Sequence, residues 1–153
     1  FPAGVSTFGR QIEWLPNRMA VPFGYRKGDI LAGNDSPTPG TDFSGATAVI
    51  RSYAKADLVR QTTGAALDLR LFPGTVAGEN GITALVGLFR GFCQLGGFFL
   101  QIDVEDAETL RRAQEHPEDY KTLSVRVSGW NARFVTLDSE WQRMIIERTA
   151  QKL

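Results

Sequence analysis

Cysteine and histidine are nearly missing from this 153-residue chain, which has one of each, Cys93 and His116. A lone cysteine cannot close a disulfide within the chain, and one thiol with one imidazole cannot build a zinc cluster. Neither a resident metal nor a bound cofactor is expected. An excess of either charge is absent too, since Lys plus Arg and Asp plus Glu number 17 each. That balance offers no electrostatic footprint for nucleic acid or for an anionic membrane surface. No apolar run approaches the roughly 20 residues that cross a bilayer, and the first residues lack the basic start and apolar middle of a secretory leader. The expected location is cytoplasmic. There is no internal repeat and no low-complexity tract. Position 1 is Phe, not Met, which suggests a piece of a longer polypeptide or a processed product.

What is present suffices for one domain with its own apolar core. Residues 1–43 are rich in Pro and Gly, with turn chemistry at Leu15-Pro16-Asn17, Arg26-Lys27-Gly28-Asp29 and Asn34 to Gly40. A lead of that length is expected to be ordered loop that covers another surface. Ser44 is placed to cap a helix whose Ala46, Val49, Ile50 and Tyr53 share a face. Ala65, Leu67, Leu69 and Leu71 then alternate with Ala66, Asp68 and Arg70, the period of a strand buried on one face and ended by Pro73-Gly74.

A second helix is predicted where Ile82, Leu85, Leu88, Phe89, Phe92 and Leu95 recur at helical spacing, stopped by Gly96-Gly97. On its Phe-rich face Cys93 reads as a small buried apolar residue. The alternation from Phe98 to Val104 predicts an internal strand, with Gln101 and Asp103 on one face. Glu105 to Glu115 is a polar helix in which Glu108 is placed to meet Arg111 and Arg112, closed before Pro117. His116 reads as a residue of that helix end. Leu123, Val125 and Val127 alternate up to Gly129, and Ala132 to Val135 forms a short extended piece. Ser139 with Gln142 matches a capping box opening a last helix, on which Trp141, Ile145 and Arg148 share a face. By pattern alone the fold is mixed α/β.

The segment Arg126-Val127-Ser128-Gly129-Trp130-Asn131-Ala132-Arg133-Phe134 resembles the signature of glycyl radical enzymes, the group that includes pyruvate formate-lyase, diol dehydratases and benzylsuccinate synthase. The likeness takes in His116 to Tyr120, Gly96-Gly97, Gly45 to Val49, Ser36-Pro37 with Gly40 and Asp42, and Ile145 to Thr149, weakening before about residue 30. It implies a loop-rich lead at 1–30, continuous with a barrel body elsewhere, and a glycine radical domain at 31–153. It also implies that the fold is the C-terminal part of a ten-stranded α/β barrel carrying a buried glycine-radical loop.

In that family Gly129 would store an unpaired electron, with Arg126, Val127, Ser128, Trp130, Arg133 and Phe134 supporting the loop. Chemistry favours glycine there: an α-carbon radical is stabilised when the carbon flattens between its two amides, and a side chain crowds that geometry. Val127, Trp130 and Phe134 are candidates for a dry sleeve around it. Arg126 and Arg133 also read as ordinary solvated or salt-bridged strand arginines. The resemblance further implies activation by an enzyme that uses S-adenosylmethionine and an iron–sulfur cluster, and transfer of the radical to a cysteine outside this chain, which Cys93 does not match. The expected outcome is oxygen-sensitive anaerobic radical chemistry: carbon–carbon cleavage, dehydration, decarboxylation or addition to fumarate. Trp130 and Ala132-Arg133-Phe134 lean slightly toward the fumarate-adding group. The expected partners are the activating enzyme and the barrel body, in the same chain or a separate subunit, with room for a homo-oligomer through the full enzyme. The alternative is a stand-alone spare part that docks on and repairs an oxygen-cleaved enzyme.

Overall fold

The computed structural model describes residues 4, 17, 19–22, 24–29, 32–38, 41–127 and 130–149. Most of the lead before residue 31, and with it the Leu15-Pro16-Asn17 turn apart from Asn17, lies outside them. Within residues 21–29 the chain turns twice, through Val21–Tyr25 and Arg26–Asp29 backbone bonds and an Asp29 carboxylate that accepts from the Arg26 N–H at 2.7 Å.

Helix α1 (Ala46–Tyr53) buries Val49, Ile50 and Tyr53, the face its spacing predicts. Its cap is Gly45, not Ser44. Gly45 stands at φ 81 and makes no side-chain cap bond, a backbone angle that side chains avoid and glycine accepts. Strand β1 (Ala66–Leu71) follows, with Leu67 and Leu69 buried and Ala65 buried just ahead of it. It pairs in parallel with β2 (Phe99–Val104), Leu67 opposite Leu100 and Leu69 opposite Ile102. Parallel neighbours need a crossover, which α2 (Gly78–Gln94) supplies, giving a β-α-β unit. The predicted stop of α2 is a Schellman turn: Gly96 at φ 75 donates to the Cys93 carbonyl at 3.0 Å, and Gly97 to that of Phe92 at 2.9 Å. Gly97 also lies so close to the Phe92 ring that a β-carbon would meet it at 2.3 Å.

Two expectations fail in this unit. Among the described residues β2 pairs with β1 alone and is half-exposed along its length, so it is not an internal strand here. Cys93 is exposed, because α2 buries only Gly81 and Phe92. Along β1 runs a short strap. The Asp35 N–H donates to the Ala66 carbonyl at 2.8 Å, the Asp68 N–H donates to the Ser36 hydroxyl at 2.8 Å, and Asn34 donates to the Asp68 carboxylate at 2.6 Å.

The second half forms a separate core. Helix α3 (Ala107–Glu115) is capped by Asp106, whose carboxylate accepts from the Thr109 N–H at 2.7 Å and from its hydroxyl at 2.8 Å. Ala107, Leu110 and Ala113 are buried, so the helix is amphipathic and not polar all round. No ion pair joins Glu108 to Arg111 or Arg112 among the described residues; Arg112 instead reaches the Thr109 hydroxyl at 3.4 Å. His116 ends the helix as expected, its ring exposed and 3.7 Å from Glu118.

Strands β3 (Ser124–Arg126) and β4 (Asn131–Arg133) pair antiparallel, and a 3-10 turn (Phe134–Thr136) leads to α4 (Ser139–Thr149). The predicted extended piece is thus one residue earlier and shorter than expected. The capping box on Ser139 is not formed either. Asp138 stands at the cap, accepting from the Trp141 N–H at 2.9 Å through its side chain and from the Gln142 N–H at 3.0 Å through its carbonyl. Val125, Val127, Phe134, Met144 and Ile145 make the buried centre of this core, with Trp141 packed at its edge. The Arg148 side chain lies outside the described residues.

Candidate functional site

The nine-residue motif falls on the β3–β4 hairpin. A hairpin arises because Val125 and Val127 alternate inward on one strand while Phe134 plugs the same core after the other. Ser124 pairs with Arg133, Val125 with Ala132 and Arg126 with Asn131. Beyond the last pair the Val127 N–H donates to the Trp130 carbonyl at 2.9 Å, so the backbone on the two sides of Ser128 and Gly129 is joined directly. Ser128 and Gly129 themselves lie outside the described residues.

The other motif residues divide sharply by burial. Val127 and Phe134 are completely buried, at 0% exposure, whereas Trp130 is 50% exposed. Of the expected sleeve, therefore, the valine and the phenylalanine are in the core and the indole is not. Arg126 is half-buried and reaches the Asn131 side-chain oxygen at 3.4 Å across the hairpin. Arg133 is exposed and donates to the Lys121 carbonyl at 2.8 Å, tying β4 to the turn before β3. Phe134 is also held through its backbone, donating to the Leu123 carbonyl at 2.9 Å and accepting from the Gln142 amide at 3.1 Å and the Leu137 N–H at 3.2 Å.

Two polar groups of this domain sit off their ordinary titration range. Burial pushes the Asp106 carboxyl up, but the Thr109 N–H and hydroxyl, Arg112 and the Glu108 N–H together outweigh it and hold the group below the usual value. Burial raises Asp35, whose second carboxylate oxygen is enclosed without a hydrogen-bond partner among the described residues. Neither lies in the hairpin. Gln101 and Asp103 bond to each other on β2 at 3.1 Å. Sequence reasoning missed the hold of Gln142 on Phe134, because the Ser139–Gln142 spacing fits a capping box equally well. Asp138 just ahead, a stronger cap than Ser139 in charge, was the available signal.

A family model described as Glycine radical matches residues 31–135, more than half of the chain. The chain belongs to the glycine radical family. Among curated relatives, this glycine radical chain is 41% identical to trans-4-hydroxy-L-proline dehydratase of Clostridioides difficile over 116 residues, 76% of its own length and 15% of the relative's. It is 36% identical to the probable dehydratase YbiW of Escherichia coli K12 over 152 residues, 99% of this chain and 19% of that one. Isethionate sulfite-lyase of Nitratidesulfovibrio vulgaris is 35% identical over 93% of the chain and 17% of the lyase.

Among solved structures, the glycerol-bound form of the B12-independent glycerol dehydratase from Clostridium butyricum superposes with a TM-score of 0.89 at 34% identity, covering 98% of this chain and 19% of that one. A glycyl radical enzyme from Archaeoglobus fulgidus gives 0.87 at 33% identity, covering 100% and 20%. The glycine radical chain thus spans about a fifth or less of the length of the proteins it matches.

Proposed function

We propose that this glycine radical domain stores an unpaired electron on Gly129 and serves as the radical-bearing C-terminal part of a glycyl radical lyase. The observation that carries the reading is a hairpin whose two arms end in fully buried Val127 and Phe134 and whose last described backbone bond flanks the glycine of the nine-residue motif. In this reading one Cα–H bond of Gly129 breaks homolytically, the hydrogen atom leaving to an activating enzyme that uses S-adenosylmethionine and an iron–sulfur cluster. The electron spreads over the flattened α-carbon and its adjoining amides. The glycine then regains a hydrogen atom from a cysteine thiol outside this chain, and the thiyl so formed attacks substrate. Arg126, Ser128, Trp130 and Arg133 support the loop in this scheme, with Val127 and Phe134 as its anchors.

The rest of the scheme extends the same proposal. The domain occupies residues 31–153, preceded by a loop-rich lead at 1–30, and forms one part of a ten-stranded barrel in the cytoplasm. Its partner body buries the face of α2 that stands open here, where Ile82 is 61%, Val86 42% and Phe89 45% exposed. Relatives whose names describe dehydratases, a sulfite-lyase and decarboxylases favour elimination or cleavage over addition to fumarate as the reaction.

Anaerobic activation of the assembled protein is expected to give a glycyl doublet in electron paramagnetic resonance. The doublet should collapse when the remaining α-hydrogen is exchanged for deuterium. Admitting air should then cut the chain at position 129, releasing a C-terminal peptide visible by mass spectrometry. A Gly129→Ala variant is expected to show neither signal nor turnover; full turnover by that variant would overturn the assignment.

A further inference from the structure

Gln142 belongs to α4, yet its side chain is spent on the exit of the hairpin. Its amide nitrogen donates to the carbonyls of Phe134 and Leu137, each at 3.1 Å, and its oxygen accepts from the Gln114 amide on α3, also at 3.1 Å. Both donors and one acceptor site are thus engaged, with three different elements joined at one side chain. The residue it grips is the one that closes the hairpin. Leu123 immediately precedes β3 and Phe134 immediately follows β4, and the 2.9 Å bond between them closes the open end of the ladder. Gln142 takes the carbonyl of that same Phe134, whose ring is wholly buried. The backbone of Phe134 is therefore pinned on both sides while its side chain is clamped in the core, and β4 has one place from which to leave.

We propose that Gln142 is a positioning residue that sets the pose of the β3–β4 hairpin and thereby, resting on the reading that Gly129 carries the radical, governs how long the electron survives there. A three-residue ladder has too few cross-strand bonds to hold its own register against the pull of neighbouring segments. An amide with two donors can satisfy Phe134 and Leu137 together; a hydrocarbon takes a donor from each, leaving the Phe134 carbonyl with the Leu137 N–H at 3.2 Å, and a carboxylate repels both.

The test compares Gln142→Leu, Gln142→Glu and the control Ile145→Val in the intact protein, Ile145 being a buried residue of the same helix whose side chain makes no hydrogen bond. Native-state hydrogen exchange at the Phe134 amide and the decay of the anaerobic glycyl signal are the two readouts. Gln142→Leu is expected to lose about tenfold in Phe134 protection and to shorten the radical lifetime several-fold at every pH. Gln142→Glu should match it near about pH 8 and recover part of both near about pH 5.5, where a protonated carboxyl donates to one carbonyl again. Ile145→Val should lower global stability while leaving the lifetime and its pH profile at wild-type values. The proposal is overturned if Gln142→Leu behaves as Ile145→Val does, or if Gln142→Glu shows no pH dependence. Should the wild-type protein form no radical, the reading of Gly129 falls, while Phe134 exchange still decides whether Gln142 positions the hairpin.

Discussion

Tyr53 shows how much one side chain can join. Its ring stacks on Phe92 with centroids 5.8 Å apart and planes 16° from parallel. Its hydroxyl donates to the Ala65 carbonyl, one residue before β1, and accepts from the Phe98 N–H at 3.2 Å, one residue before β2. Tyr53→Phe keeps the ring and takes the hydroxyl from the buried Ala65 carbonyl and the part-buried Phe98 N–H. The expected cost is about 1–3 kcal/mol in chemical denaturation; an unchanged denaturation midpoint would mean that water replaces the hydroxyl.

Asp106 makes a complementary case in charge. Its folded carboxyl titrates below the ordinary value of 3.8, so the ionised form is favoured by folding. The stabilisation is present above the unfolded titration point and is lost as pH falls through the lower folded one. Thermal unfolding should therefore drop between about pH 5 and pH 2 by less in Asp106→Asn, which keeps an acceptor for Thr109 but carries no titrating charge. Equal acid sensitivity of the two proteins would assign the effect to other carboxylates.

Among the elements, α4 offers the clearest mutational contrast. Asp138→Ala removes the acceptor for the Trp141 N–H and should cost about 1 kcal/mol, while Ser139→Ala, already inside the helix, should change stability by less than about 0.5 kcal/mol in the same measurement. The reverse ranking would restore Ser139 as the cap. Helix existence and burial were legible where one period dominated: α1 buries Val49, Ile50 and Tyr53, and Leu67, Leu69, Val125 and Val127 point inward as their alternation requires.

Helix α2 was harder, and its geometry explains why. At about 100° per residue, Gly81, Leu85, Leu88 and Phe92 form one stripe, and Ile82, Val86, Phe89 and Cys93 form another roughly a quarter-turn away. In sequence the two merge into a single broad apolar arc. Only packing separates the first, which faces β1 and β2, from the second, which stays in solvent. Caps failed for a related reason: Ser44, Gly45, Asp138 and Ser139 are neighbours in pairs, and a one-residue shift changes the capping atom without changing the pattern. At the site, the nonapeptide was legible as a motif, but the exposure of Trp130 and the grip of Gln142 depend on tertiary contacts that no local spacing encodes.

At the scale of the whole molecule, the described residues form two cores, one around α1, β1, α2 and β2 and one around α3, the hairpin and α4. The apolar stripe of α2 faces outward from the first and carries the chain's one thiol, Cys93. Maleimide labelling of Cys93 should thus be fast in the isolated chain and at least about tenfold slower once the chain is assembled into a full barrel that covers Ile82, Val86 and Phe89. Labelling at the same rate in both would show that another surface docks.

The strap at residues 34–36 has a consequence for anyone trimming this polypeptide. A version begun at residue 41 would uncover the Ala66 carbonyl and the Asp68 N–H on a strand already lined with leucine, a bare ribbon border that recruits a second copy by edge-on pairing. A cut ahead of residue 34 keeps that border closed, so the choice of first residue sets whether this edge of β1 is open to another strand.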